Sequence, residues 1–170
     1  MKKLNLIIIA LIIGSYSCQG QHNILSESEF DEVKFGNANL IEIVQSLGDI
    51  NQMNSLFEND LTHAANNTGF DPGRDFWLKD KLYINFENES GNQYDLSYID
   101  ILSSSISVTV KGIEVRLGDH INIFGNNIEI IEYPDEKIVN FTDEGTGTSS
   151  LAFHINPTTN RITEITFNVY

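Results

Sequence analysis

Leu82-Tyr83-Ile84-Asn85-Phe86 alternates apolar and mixed residues. A strand turns successive side chains to opposite faces, so Leu82, Ile84 and Phe86 share one face and Tyr83 and Asn85 share the other. Leu151-Ala152-Phe153-His154-Ile155 repeats the pattern, with Leu151, Phe153 and Ile155 opposed to Ala152 and His154. The purely apolar sets demand cover, whereas the mixed sets tolerate solvent, which predicts an antiparallel sheet with one buried face. Upstream, Phe76-Trp77-Leu78 and the turn Lys79-Asp80-Lys81 make a hairpin with the first strand. Downstream, Ser90-Gly91-Asn92 turns into a strand over 94–102, where Ile99 and Ile101 point one way and Tyr98 the other. Further strands are expected at 106–110, 113–117, 128–133, 138–141 and 162–169. Lys111-Gly112, Pro134-Asp135, Gly145-Thr146-Gly147 and residues 156–160 supply the turns.

Leu40, Ile41, Ile43, Val44 and Leu47 fall on one helical face, which predicts a helix over 39–47. Asn39 suits its N-cap, and Gly48 the left-handed position beyond its end. Asp49 and Gln52 open a second helix over 50–58 that would bury Ile50, Met53, Leu56 and Phe57. Neither helix is long enough to be stable alone, so both must pack on the sheet. Residues 59–75, with Asn66-Asn67, Thr68-Gly69 and Asp71-Pro72-Gly73, read as a loop with room for one helical turn. The expected fold class is α+β, an antiparallel sheet with two short N-terminal helices packed on one face.

The two halves echo each other. Val33-Lys34-Phe35-Gly36-Asn37 is similar to Val115-Arg116-Leu117-Gly118-Asp119, and the strands at 82–86 and 96–101 to those at 151–155 and 162–167. This predicts two degenerate helix-plus-meander modules, 33–104 and 105–170. Between Gly118 and Gly125 only Ile121, Ile123 and Phe124 are apolar, so the second helix shrinks to a turn or two.

Met1-Lys2-Lys3 is a basic start, residues 6–13 are an unbroken apolar run, and Gly14-Ser15-Tyr16-Ser17 precedes the single Cys, Cys18. The run is far below the roughly 20 residues of a membrane span and reads as a signal peptide over 1–17. Cys18 after that site resembles a lipobox of the looser kind found in Bacteroidetes-like lipoproteins, with Ser15 in place of the usual Leu and Tyr16 in place of a small residue. The resemblance implies acylation at Cys18, with palmitate among the chains, and several chains on one Cys anchor stably where one alone does not. Residues 18–32, polar and carrying Glu27, Glu29, Asp31 and Glu32, are expected to be a lipidated flexible tether.

The chain has 170 residues, ten Lys+Arg and 24 Asp+Glu. Loss of residues 1–17 removes Lys2 and Lys3 but no acid, leaving eight bases against 24 acids and a charge of −16. Such a balance argues against nucleic acid, whose phosphates need basic groups. One Cys excludes a disulfide framework and a Cys-rich zinc site.

The catalytic inventory is sparse. His22, His63, His120 and His154 show no metalloprotease spacing, and surface or sheet polarity explains them more simply. No Ser sits in a nucleophile elbow, and Gly145-Thr146-Gly147-Thr148 lacks the Lys of a phosphate loop. Glu87 with Glu89 and Asp143 with Glu144 do not match the twelve-residue calcium loop, so solvated turns account for them. No catalytic residue, cofactor site or metal site is assigned, and the chain is read as a protein that is not an enzyme.

Phe35-Gly36, Leu47-Gly48, Trp77 and the strands at 82–86 and 98–101, with a second set at Leu117-Gly118, 151–155 and 165–167, resemble the small lipoproteins of outer-membrane assembly (the SmpA/OmlA type). In tandem they resemble β-lactamase-inhibitor proteins, although the disulfides and a full second helix are missing. The resemblance implies a non-catalytic module that binds another protein across a concave sheet. The expected function is therefore a lipid-anchored cell-envelope protein, outer-membrane or periplasmic, that binds a partner protein as an inhibitor or immunity protein. The lipid is its sole membrane contact. Tyr83, Tyr98, His154 and Trp77 are the candidate anchors, since aromatic side chains bury much area at low entropic cost. For Trp77 a place in the core is the simpler expectation. The acidic charge would steer a basic partner. A structural accessory of an outer-membrane assembly or uptake complex, or a hydrolase with dispersed acids, are the alternatives.

Overall fold

A computed structural model describes residues 23–66, 72–88, 93–145 and 147–170. The fold is mixed α+β, mostly antiparallel sheet with three short α-helices among the described residues. Residues 1–17 and Cys18 lie outside them.

The expected tether is folded from Asn23 onward. Strand β1 (Ile24–Leu25) runs parallel to β11 (Lys137–Asp143), Ile24 opposite Thr142 and Leu25 opposite Asp143. Helix α1 (Glu27–Asp31) follows and buries Phe30. Ser26 Oγ accepts from the Glu29 amide at 3.3 Å, and Glu29 Oε2 accepts from the Ser26 amide at 2.9 Å. This reciprocal cap explains Glu29, and both Glu27 and Glu29 lie in the first turn, where the helix dipole favours negative charge. The Ser-x-x-Glu spacing was the signal for it in the sequence.

A hairpin of β2 (Lys34–Phe35) and β3 (Ala38–Asn39) leads into α2 (Leu40–Gln45) and then α3 (Ile50–Leu56). Glu42 reaches back to accept from the Asn39 amide at 3.1 Å, and Asp49 Oδ1 accepts from the amides of Asn51 and Gln52 at 3.0 Å. Both helices are shorter than 39–47 and 50–58. Leu47 and Gly48 take positive φ after the first, and Glu58 and Asn59 after the second. Leu40, Ile43, Met53 and Phe57 join the core, whereas Val44 and Leu47 are exposed.

Strand β4 (Thr62–Asn66) occupies part of the expected loop. It pairs antiparallel with β5 (Gly73–Leu78) through Thr62–Trp77 and Ala64–Asp75. At the sheet edge its order comes from ladder hydrogen bonds rather than burial, so no apolar alternation marks it. Strands β6 (Leu82–Glu87), β7 (Asp95–Ile101), β8 (Val108–Val110) and β9 (Ile113–Val115) follow. A 3-10 turn lies at Ile121–Phe124. The strand expected over 128–133 reduces to β10 (Ile131–Glu132), and β12 (Ser149–Asn156) and β13 (Arg161–Val169) complete the chain.

The large sheet runs β1-β11-β12-β13-β7-β6-β5-β4, with β10 also on β11, and the small one runs β3-β2-β8-β9. Two three-stranded meanders thus meet through their last strands, β7 and β13. Phe76, Ile84, Ile99, Phe167, Leu151 and Phe141 stand opposite one another in a row across six strands. All are essentially inaccessible. The rings of Phe30 and Phe35 lie 5.7 and 6.2 Å from that of Phe167, which brings α1 and the small sheet onto this face. Removing one such ring costs about 3–5 kcal/mol, a large part of a domain's stability.

Candidate interaction surface

The residues alternating with that row lie on the other side of the sheet. Trp77, Tyr83, Asp100, Thr166, Ala152 and Asn140 oppose one another in one line. Asp75, Asn85, Tyr98, Asn168, Ser150 and Thr142 form the next. Period two in each strand sends these side chains away from the core. Asn85, Ser150 and Thr166 are sunk between larger neighbours, and the aromatic rings stand above them, half-buried.

Three of the four expected anchors come together here. The Trp77 ring lies 5.8 Å from that of Tyr83, which lies 6.1 Å from that of Tyr98. Trp77 is therefore half-buried on this face and not in the core as expected, because its register opposite Tyr83 fixes its side of the sheet. The Tyr83 hydroxyl donates to Asp75 Oδ1 at 2.9 Å, and Asn85 Nδ2 donates to the same oxygen at 2.8 Å. Burial and the adjacent Asp75 carboxylate push the Tyr83 phenol well above its ordinary range. Burial, then the charges of Asp100 and Glu164, push Tyr98 up to about 12. Ala152, expected to be free, is buried on this face because its methyl does not rise above its neighbours.

His154 lies further along β12, opposite Glu164, with its Nδ1 2.7 Å from Glu136 Oε1. It shares with Tyr98 a shallow hollow of about 430 Å³ whose rim includes Ile131, Tyr133 and Tyr170. Those three are among the exposed large apolar residues of the protein, with Tyr133 55% and Tyr170 80% accessible. The sequence reading missed them, together with Asp100 and Glu164. The expected strand over 128–133 ends at Glu132, so Tyr133 lies just past it, as Tyr170 lies just past the last strand, and alternation does not place either; Asp100 and Glu164 share the parity of Tyr98 and Thr166 and were legible.

The other histidines are separate. His120 Nδ1 accepts from the Asn122 amide at 3.2 Å, capping the 3-10 turn, and the His63 ring lies 6.2 Å from Phe76 at the sheet edge. His22 falls outside the described residues. Among the described residues no three His, Cys, Asp or Glu side chains are grouped to hold a metal ion, and no helix is long and apolar enough to cross a membrane. The chain matches no family profile, no curated protein and no solved structure.

Proposed function

We propose that this chain is a cell-envelope protein, lipid-anchored at Cys18, that binds a partner protein through the open face of its large sheet as an inhibitor or immunity protein. The observation that carries the reading is the contiguous Trp77–Tyr83–Tyr98 cluster beside an open hollow. Exposed apolar and aromatic residues gathered in one place are characteristic of interaction sites, whereas singly scattered ones are not. Aromatic anchors held by a rigid sheet lose little entropy on binding.

On this reading the helices and the small sheet cover the core face so that the other face is left for a partner. The two halves are degenerate copies of one unit, and their order supports it: hairpin, helical segment, edge strand and meander occur twice. The counterpart of Lys34-Phe35 is then Val108–Val110, its partner in the small sheet, rather than residues 115–119. The 3-10 turn stands for the lost second helix.

Affinity purification from detergent-solubilised membranes, with wild type and the Tyr83→Ala/Tyr98→Ala/His154→Ala variant as baits, tests the reading. A partner held by wild type and lost by the variant is expected. Equal recovery by both baits would overturn the proposed face. A partner set made of membrane β-barrels would favour an assembly accessory over an inhibitor.

A further inference from the structure

The open face carries charge of one sign. Asp75 is held by Tyr83 and Asn85, and Glu136 meets His154. Asp100 and Glu164 have no cation and no hydrogen-bond donor among the described residues. They are close neighbours, since Asp100 stands opposite Thr166 and Glu164 is the next residue of β13 on the same side. Burial and then the Glu164 charge hold the Asp100 carboxyl above its ordinary range. A half-buried Asp100 without a counter-charge among the described residues, next to the exposed Glu164 and the Tyr98 ring, leaves unfavourable electrostatics that an incoming cation would relieve.

Resting on the binding role proposed above, we propose that the hollow between Tyr98, Tyr133 and His154 receives an arginine or lysine side chain of the partner protein, with Glu164 on its lining and Asp100 just beyond it, opposite Thr166, as counter-charges. The chemistry fits on three grounds. The carboxylates supply charge complementarity, the faces of the tyrosines attract a cation, and the apolar rim of Ile131, Tyr133 and Tyr170 covers the aliphatic stem. A second copy of the chain docked by the same face would bring like charges to these acids. An anionic membrane surface would do the same.

The test is selection of peptides from a random displayed library on the full-length chain in mild detergent. Enriched peptides are compared on wild type, the isosteric Asp100→Asn/Glu164→Gln variant and the Tyr83→Ala/Tyr98→Ala variant. Circular dichroism checks that each is folded. The expected peptides carry Arg or Lys at a fixed position, weaken about tenfold or more on the carboxylate variant, and weaken in high salt. Enriched peptides that lose affinity on the tyrosine variant but not on the carboxylate variant would overturn the cation and leave the binding face standing. Failure to enrich any peptide, or peptides indifferent to both variants, would overturn the cation site and the binding face together. Binding of vesicles of phosphatidylglycerol and phosphatidylethanolamine, or a dimer abolished by the carboxylate variant, would contradict a protein cation as the occupant.

Discussion

Tyr83 and Tyr98 face each other diagonally across two adjacent strands, ring centroids 6.1 Å apart, while their direct partners are Asp100 and Asn85. The Tyr83 hydroxyl is bonded to Asp75, which stands opposite Asn85, and Tyr98 feels the charge of Asp100, which stands opposite Tyr83. Contact between the rings brings charge and aromatic surface to the same place.

This arrangement predicts a loss of stability in alkali. The Tyr98 phenol holds its proton to about 12 when folded, against an ordinary value of 10.0. Between these values the unfolded chain binds fewer protons than the folded one, so stability is intact below pH 10 and falls as pH rises through the window. Urea unfolding at several pH values checks it, and Tyr83→Phe/Tyr98→Phe should flatten the decline.

Asp100→Asn should stabilise the fold near neutral pH, because burial and Glu164 disfavour the ionised carboxylate. The sign follows from a raised folded pKa: the carboxyl costs nothing below its unfolded value of 3.8 and costs increasingly as pH rises through its folded value. Thermal melts should show the variant ahead of wild type at pH 7 and level with it in acid. A gain in stability with a loss of binding is the signature of a residue kept for function.

Phe30→Ala should cost about 3 kcal/mol, because its ring is buried against Phe167. Were residues 18–32 a tether throughout, the substitution would be silent. Denaturant midpoints separate the two outcomes.

Cys18→Ser should abolish palmitate incorporation and release the chain from membranes. Retained label and membrane attachment would show that the anchor lies elsewhere.

Legibility followed burial. Leu82–Phe86 and Leu151–Ile155 alternate because one face of each is sealed, and the structure places Ile84, Phe86, Leu151 and Phe153 in the core. Tyr83, Tyr98 and His154 followed from the same parity. Elements whose order comes from backbone pairing left no such trace: β4 is Thr-His-Ala-Ala-Asn at an exposed edge, and β1 is held by two residues against β11. Trp77, expected in the core, sits on the open face because its register opposite Tyr83 decides its side of the sheet. Helix α1 was hidden by its acids, which suggest a solvated tail until the Ser26–Glu29 cap is recognised. Tyr133 and Tyr170 reach the hollow through tertiary structure alone.

Photo-crosslinking in intact cells reads out whether a partner sits on the open sheet face. A photoreactive amino acid is placed at Tyr98, on that face, and in a separate variant at Asn122, an exposed position on the 3-10 turn. A partner on the open face gives one discrete protein adduct from position 98 and none from position 122. Adducts from 122 alone, or none from 98 while a partner still co-purifies with the unmodified chain, would contradict it.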